Sequence, residues 1–497
     1  MKKPYKVTLA LIFLVVTQLA PLKFAGAYAA QAEQKGTPRG IEGSWEGVLD
    51  VGSAKLRLVL KISKEKDVKY AATLDSLDQN AMDLPVNSMT LEGDALRFEM
   101  QAIGGLYDGK LNKEWSEVTG TWRQGDLSLP LSFKRVEKKS DAAGQAEPKK
   151  PEAAAKPQEP KKPYPYNEEE ISYENKAGGV KLAGTLTLPR TTGPFPAVVL
   201  ITGSGPQNRN EELLGHKPFL VLADHLTRKG IAVLRVDDRG VGGSTGNITT
   251  STSEDFAGDV LAGIEILKTR KEINSKQIGL IGHSEGGLIA PMVAARSTDV
   301  AFIVLMAGPG LIGEEILYLQ GALITKAAGA GDQTIAASRA AQQAIFSVLK
   351  EEKDSAAAEK RIRENFSKTT AQMTDEQKKA SGIEATFNAQ LKMVLTPWFR
   401  YFLTYDPRPA LMKVKCPVLA INGEKDLQVP PDEDLKVIEQ TLAAAKNPDY
   451  KVMKLPGLNH LFQTCKTGAV SEYAEIQETI SPTALDTMSD WILKRTK

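Results

Sequence analysis

The sequence predicts an α/β protein: a mostly parallel sheet with a helical insertion, carried behind a small all-β domain. Three observations predict it. From Tyr166 onward, short apolar runs alternate with helical patterns, as in a parallel sheet covered on both faces. Between Gly40 and Val136 the pattern is instead one of alternating and β-branched segments separated by Gly, Asp and Asn. Between these regions lies Lys138–Pro165, a stretch of Pro, Ala, Lys and Glu with almost nothing to bury. Such a segment cannot offset its ordering entropy, so it is expected to be an extended or disordered linker and to set the domain boundary. At 497 residues the chain is too long for one ordinary domain, and two are expected.

The chain opens with Lys2, Lys3 and Lys6, an apolar run Val7–Ala20, and Ala27-Tyr28-Ala29. This is the pattern of a cleavable export signal over residues 1–29, with an apolar run too short to span a membrane. Its removal takes four lysines and no acids, changing a formal charge of +2 to about −2. The mature chain then has no basic excess with which to neutralise phosphates, which argues against a nucleic-acid partner. No cysteine precedes Cys416, so no anchor through an N-terminal cysteine is expected. With only Cys416 and Cys465, a disulfide framework is ruled out, and both thiols are read as unpaired.

In the β region (40–137), strands are expected at Trp45–Val51, Lys55–Ser63, Lys69–Leu77, Ser88–Met100 and Leu127–Phe133. Arg57, Val59 and Lys61 alternate with Leu58, Leu60 and Ile62, a period that half-buries a strand. An antiparallel barrel or sandwich needs about this many strands. No histidine or cysteine lies between residues 30 and 200, so no catalytic cluster is expected there. The domain could bind carbohydrate or a partner, cover an active site, or act only as a stabilising accessory.

Across residues 166–497, Ile171–Tyr173 and Lys181–Leu188 suggest an opening antiparallel pair. Ala197–Ile201, Ile231–Val236, Ile278–Ile281, Phe302–Met306, Val418–Ile421 and Lys451–Leu455 read as buried strands. Helices are expected near Glu212–Lys229, Glu254–Lys268 and Ser481–Lys494. Short right-handed crossovers would put all strand C-termini on one edge, where sites collect. The span 311–415 is too long for a loop and rich in Ala, Lys, Glu and Gln, so it is expected to be a helical cap. Its aromatic run Pro397–Leu403 would form cap core or wall an acyl or aromatic pocket.

The chemistry centres on Gly282-His283-Ser284-Glu285-Gly286, which fits G-x-S-x-G between a buried strand and a helix start. That context makes a nucleophile elbow: flanking glycines let backbones pass closely, and the helix N-terminus faces the serine. A serine needs a base, and the base needs an orienting acid. Of four histidines, His283 sits inside the elbow, and His216 and His225 lie near the helix after the first buried strand. His460 alone follows a strand end on the elbow's edge and is the expected base. The acid should come from Asn422–Asp426: Asp426 is the candidate and Glu424 the runner-up. The order Ser284, Asp426, His460 is that typical of α/β-hydrolases.

Two backbone donors would hold the oxyanion, the N–H of Glu285 and one from Thr202–Gly205, for which Ser204 is selected. The loop Asp237–Ser244 lacks both phosphate-loop spacings and reads as structural, and no pattern for a metal or cofactor is present. Taken together, ITGSGPQNRNE, DDRGVGGSTG, GHSEGG, PWFRYFLTYDP, INGEKDLQVP and LPGLNHLF resemble secreted bacterial α/β-hydrolases of the serine-aminopeptidase-like group, especially EstD-type carboxylesterases. The resemblance runs from about Glu168 to the end. It implies an α/β-hydrolase fold with a helical cap, and cleavage of short-chain acyl esters, a small-molecule substrate, by Ser284, Asp426 and His460. Thr202 stands where the commoner oxyanion loop has histidine. A peptidase or aminopeptidase remains the alternative, with Glu285, Glu314 or Glu315 available to hold a substrate ammonium. A third reading is an envelope-polymer binding module.

Overall fold

The computed structural model describes residues 41–50, 55–64, 70–76, 81–100, 105–124, 127–136, 156–374, 377–378 and 383–496. The expected export signal and most of the expected linker lie outside the described residues. The rest forms two compact units, each taken by itself below.

The first is an antiparallel sheet of β1 (Gly43–Asp50), β2 (Lys55–Lys64), β3 (Tyr70–Ser76), β4 (Ala81–Pro85), β5 (Ser88–Glu92), β6 (Ala95–Met100), β7 (Gly105–Leu111), β8 (Glu117–Gln124) and β9 (Leu127–Arg135). The order is β4-β3-β2-β1-β9-β8-β7-β6-β5, with β1 antiparallel to both β2 and β9. Following the directions round the sheet makes β4 and β5 point the same way, so they are one bent strand. Val86 N–H donates to Ala72 on β3, and Asn87 N–H to Glu99 on β6, where the strand changes partner. Eight staves result, an even number, so every neighbour can be antiparallel as the barrel closes.

Trp45, Phe98, Tyr107, Trp122 and Phe133 are buried inside. The Tyr107 hydroxyl donates to the Leu131 carbonyl at 3.0 Å. The sequence pattern did not indicate β7 and β8. Glycines interrupt their alternation, and Gly109 and Gly120 make room for the Tyr107 ring, which a methyl group at either would meet at 2.7 Å. The single strand expected over Ser88–Met100 is a hairpin, turned at Gly93 with φ +65°.

The second unit holds β10 (Asn167–Asn175), β11 (Val180–Leu188), β12 (Phe195–Ile201), β13 (Ala232–Val236), β14 (Ile273–His283), β15 (Phe302–Met306), β16 (Val418–Gly423) and β17 (Tyr450–Leu455). The order is β10-β11-β13-β12-β14-β15-β16-β17, and only β11 runs against its neighbours. The central strands are buried apolar runs because helices cover both faces. These helices are α1 (Pro218–Arg228), α2 (Ser253–Lys268), α3 (Glu285–Ala294), α10 (Pro431–Ala444) and α11 (Pro482–Thr496), with α4–α9 inserted as below. Helix α1 starts six residues later than expected: Pro218 occupies its first turn and keeps Lys217 out of the helical region, at φ −129° and ψ 70°.

The last residues of the expected linker are docked. Lys156 Nζ donates to the carbonyls of Ala474 (2.9 Å) and Ile476 (2.8 Å), and Gln158 pairs both ways with Ile480. A segment this poor in apolar side chains is held by its polar side chains, a signal that composition does not carry.

Between β15 and β16 run α4 (Gly313–Ala327), α5 (Asp332–Glu351), α6 (Ser355–Thr369), α7 (Ile383–Val394), α8 (Pro397–Thr404) and α9 (Arg408–Leu411), the expected helical cap. Trp398, Phe399, Phe402 and Leu403 of α8 are buried, with the Trp398 and Phe402 rings stacked 5.4 Å apart. A methyl group at Gly313 would collide with the Phe402 carbonyl, so α4 begins flush against α8.

The cap's entry loop is held by Asp434 on α10, whose Oδ1 accepts from the N–H groups of Gly310 (2.7 Å) and Leu311 (3.1 Å). Its Oδ2 is buried with no partner among the described residues. Burial pushes this carboxyl up to about 7. Between about pH 4 and pH 7 the folded chain keeps a proton that the unfolded chain releases, so stability falls as pH rises through that window. Asp434→Asn keeps the acceptor and removes the charge. Its melting temperature relative to wild type is therefore expected to climb from pH 4 to pH 7.5, by the equivalent of up to about 4 kcal/mol. A difference that does not change with pH would refute this.

Candidate active site

Strand β14 delivers Ser284 into a backbone conformation that L-residues avoid, φ 52° and ψ −116°, immediately before α3. Its N–H donates to the Met306 carbonyl at 2.8 Å, and its carbonyl accepts from Gly287 at 2.9 Å. The flanking glycines are obligatory. A methyl group at Gly282 would lie 2.0 Å from the Gly286 oxygen, and one at Gly286 would lie 2.1 Å from the Ile201 oxygen. This is the strained strand-to-helix turn expected of a nucleophile elbow.

The loop after β16 carries Asp426, and the loop after β17 carries His460. The two meet with Asp426 Oδ2 2.7 Å from His460 Nδ1, both buried. The other carboxylate oxygen accepts from the N–H groups of Gln428 (2.7 Å) and Val429 (2.9 Å). Glu424, the alternative acid, is exposed and takes the Gly457 N–H instead. Gly423 lets the loops come together, since a methyl group there would lie 2.4 Å from the Asn459 carbonyl. His216 and His225 stand elsewhere. His216 is bonded to Thr479 and the Tyr473 carbonyl, and His225 to Ser489.

The candidate oxyanion loop follows β12. Thr202 donates its hydroxyl to Asp238 at 2.7 Å, and Asp238 also accepts the Gln207 N–H at 2.8 Å. Asp237 takes the Arg209 backbone N–H and guanidinium and the Gly243 N–H. The Asp237–Ser244 loop is thus a scaffold for its neighbour. Gly203 N–H is bonded to Glu211, whereas the N–H groups of Ser204 and Glu285 have no acceptor among the described residues.

The Glu285 side chain turns away from that role. It is 2% exposed, and its Oε1 accepts from Ser253 (2.5 Å) and from the indole of Trp398 (2.7 Å), tying the elbow to the cap. Burial pushes its carboxyl up, against the hydrogen bonds from Ser253, Trp398 and Ser204. Glu314 is likewise occupied by Tyr318 and Lys350. Cys416 and Cys465 are free thiols, and burial pushes the Cys416 thiol up to about 12, away from reactivity.

Two residues beside the triad candidates carry contacts that the sequence did not reveal. Glu211, buried at φ +51°, binds both Gly203 N–H (2.7 Å) and the His283 ring (2.9 Å). His283 also reaches the His460 backbone carbonyl at 3.1 Å. Glu211 closes the ITGSGPQNRNE stretch, but nothing in a loop of Asn, Arg and Glu marks one acid as buried.

Over 155 residues the chain is 36% identical to esterase EstD of Thermotoga maritima, a match covering 30% of this chain. It spans only 37% of the length of that curated relative. Solved structures with a similar backbone include the esterase PF2001 of Pyrococcus furiosus, at 18% identity over 67% of this chain and 92% of that one, with a TM-score of 0.40. Another is Est1E of Butyrivibrio proteoclasticus, in a structure with bound ferulic acid, at 15% identity over 65% and 98% of the two chains and a TM-score of 0.38. The hydrolase GrgF of Penicillium sp. sh18 gives 17% identity over 67% and 99%, with a TM-score of 0.40. The fold assignment rests on the strand order, the elbow and the family that matches residues 178–451. With that match spanning more than half of its length, this chain has the α/β-hydrolase fold and belongs to the X-Pro dipeptidyl-peptidase (S15) family.

Proposed function

We propose that this protein is a serine hydrolase that cleaves carboxylic esters, with short acyl groups, through an acyl-enzyme on Ser284. The observation that carries the reading is the buried Asp426–His460 pair at 2.7 Å on the sheet edge where the strained Ser284 elbow emerges. His460 Nε2 takes the Ser284 proton as the hydroxyl oxygen attacks the acyl carbonyl, and Asp426 holds the imidazole tautomer and stabilises the imidazolium. The tetrahedral oxyanion sits against the N–H groups of Ser204 and Glu285, each worth about 10²–10³ in rate. His460 returns the proton to the leaving alkoxide, then activates the water that hydrolyses the acyl-enzyme.

The match to EstD favours ester over amide as substrate. Membership of a family described as X-Pro dipeptidyl-peptidases favours the second reading, a peptidase. Against an aminopeptidase, Glu285 and Glu314 are already engaged by protein partners and are poor holders of a substrate ammonium. The deciding experiment sets a p-nitrophenyl ester chain-length series beside Xaa-Pro-p-nitroanilides and other aminoacyl anilides. Hydrolysis of short esters with anilides untouched supports the esterase. Anilide cleavage that Ser284→Ala abolishes overturns it in favour of the peptidase. The reading also has the protein exported, supported by the leader pattern in residues 1–29. An N-terminal sequence beginning at Met1 in protein recovered from cells would refute export.

A further inference from the structure

His283 takes no part in those proton transfers, yet both of its ring nitrogens are engaged in a site where it is only 6% exposed. Nδ1 lies 2.9 Å from Glu211 Oε1, and Nε2 lies 3.1 Å from the His460 backbone oxygen. One partner is a carboxylate oxygen and the other a carbonyl oxygen, which can only accept. A neutral imidazole has a single N–H and serves one of them, whereas the imidazolium serves both. Burial opposes that charge, but the Glu211 carboxylate, its hydrogen bond and the His460 carbonyl outweigh burial and raise the pKa of the ring above its usual value. The facing groups are Glu211 from the loop after β12, the His460 ring 4.9 Å away with Asp426 behind it, and the edge of Phe462 at 6.4 Å.

The Glu211 oxygen that meets His283 also accepts the Gly203 N–H at 2.7 Å. Gly203 precedes Ser204, the proposed oxyanion donor, and His283 precedes Ser284. An unbroken set of bonds therefore runs from the oxyanion loop, through Glu211 and the His283 ring, to the backbone of the base. Within it the second proton on His283 is a link that can be lost without moving a heavy atom.

We propose that His283 is a positioning residue that works as an imidazolium and holds the oxyanion loop and His460 in register on either side of Ser284. This rests on the serine-hydrolase reading above. With four histidines in the chain, selective ¹⁵N-histidine labelling gives a readable spectrum of the full protein. At pH 8 the wild type is expected to show one ring with both nitrogens protonated, and Glu211→Gln is expected to convert that ring to the neutral form. Glutamine keeps the shape and an oxygen for Gly203, so it removes the charge and changes only the second oxygen, into an NH₂ group. The turnover of Glu211→Gln should fall about 10–100-fold with KM changed less than about threefold, as when groups are displaced by a fraction of an ångström.

A wild-type spectrum with four neutral rings at pH 8 would overturn the proposal whatever the variant does, because one of the two contacts would then face a ring nitrogen without a proton. An active Glu211→Gln enzyme with unchanged kcat would refute the positioning role alone. If the wild type shows no Ser284-dependent ester turnover, the hydrolase reading falls and takes the positioning role with it.

Discussion

Replacing Ser284 by alanine is expected to remove about 10⁶ of turnover, as large a loss as removal of the base His460 should cause. The magnitude follows from what the residue does. Without the oxygen nucleophile no acyl-enzyme forms, and what survives is the catalysis by the oxyanion donors and by substrate binding. The fold should survive too, because the bonds that hold the elbow come from the backbone: Ser284 N–H to Met306, and Gly287 N–H to the Ser284 carbonyl. Alanine meets the same positive φ of 52° that serine already tolerates. The measurement is ester turnover alongside circular dichroism and a burst titration of active sites. Loss of the burst with an unchanged melting curve is the expected result. A variant that keeps more than a hundredth of wild-type turnover would mean that the nucleophile is not Ser284.

Much of the candidate site's placement was legible because the parts of a nucleophilic site belong at strand ends, and buried strands announce themselves. Val418–Ile421 and Phe302–Met306 are short apolar runs with no other reading, and the loops that follow them are short. Asp426 and Glu424 could not be separated by spacing, since both lie in one turn. Burial separates them, and burial depends on the whole of the loop that carries His460. Glu211 and His283 were illegible as a pair because their contact joins residues 72 positions apart and needs a positive φ at a non-glycine. Their chemistry is tertiary.

The barrel shows the opposite failure. Local alternation found β2 but missed β7 and β8, where glycines serve the ring of Tyr107 across the interior. A period-two pattern reports which face of a strand is buried and is silent when one large side chain fills the space of three. The docked residues Lys156 and Gln158 follow the same rule, since polar anchors onto backbone carbonyls leave no periodicity at all.

Asp426→Asn should lower kcat by about 10⁴ while leaving packing intact. The reason is a matter of hydrogen-bond polarity. One Asp426 oxygen accepts two backbone N–H groups, from Gln428 and Val429, and the other accepts from His460 Nδ1. An asparagine can offer only one oxygen. The two backbone donors claim it, which turns its NH₂ group towards Nδ1, and Nδ1 must then accept. The proton moves to Nε2, and the nitrogen facing the serine no longer has a lone pair with which to take a proton. The loss should therefore fall on kcat with little change in KM, and it should ease at high pH, where hydroxide can do what the ring cannot. Measuring kcat and KM for one short ester from pH 6 to pH 10 tests this directly. A drop of less than about tenfold across that range would mean that a group other than Asp426 orients His460.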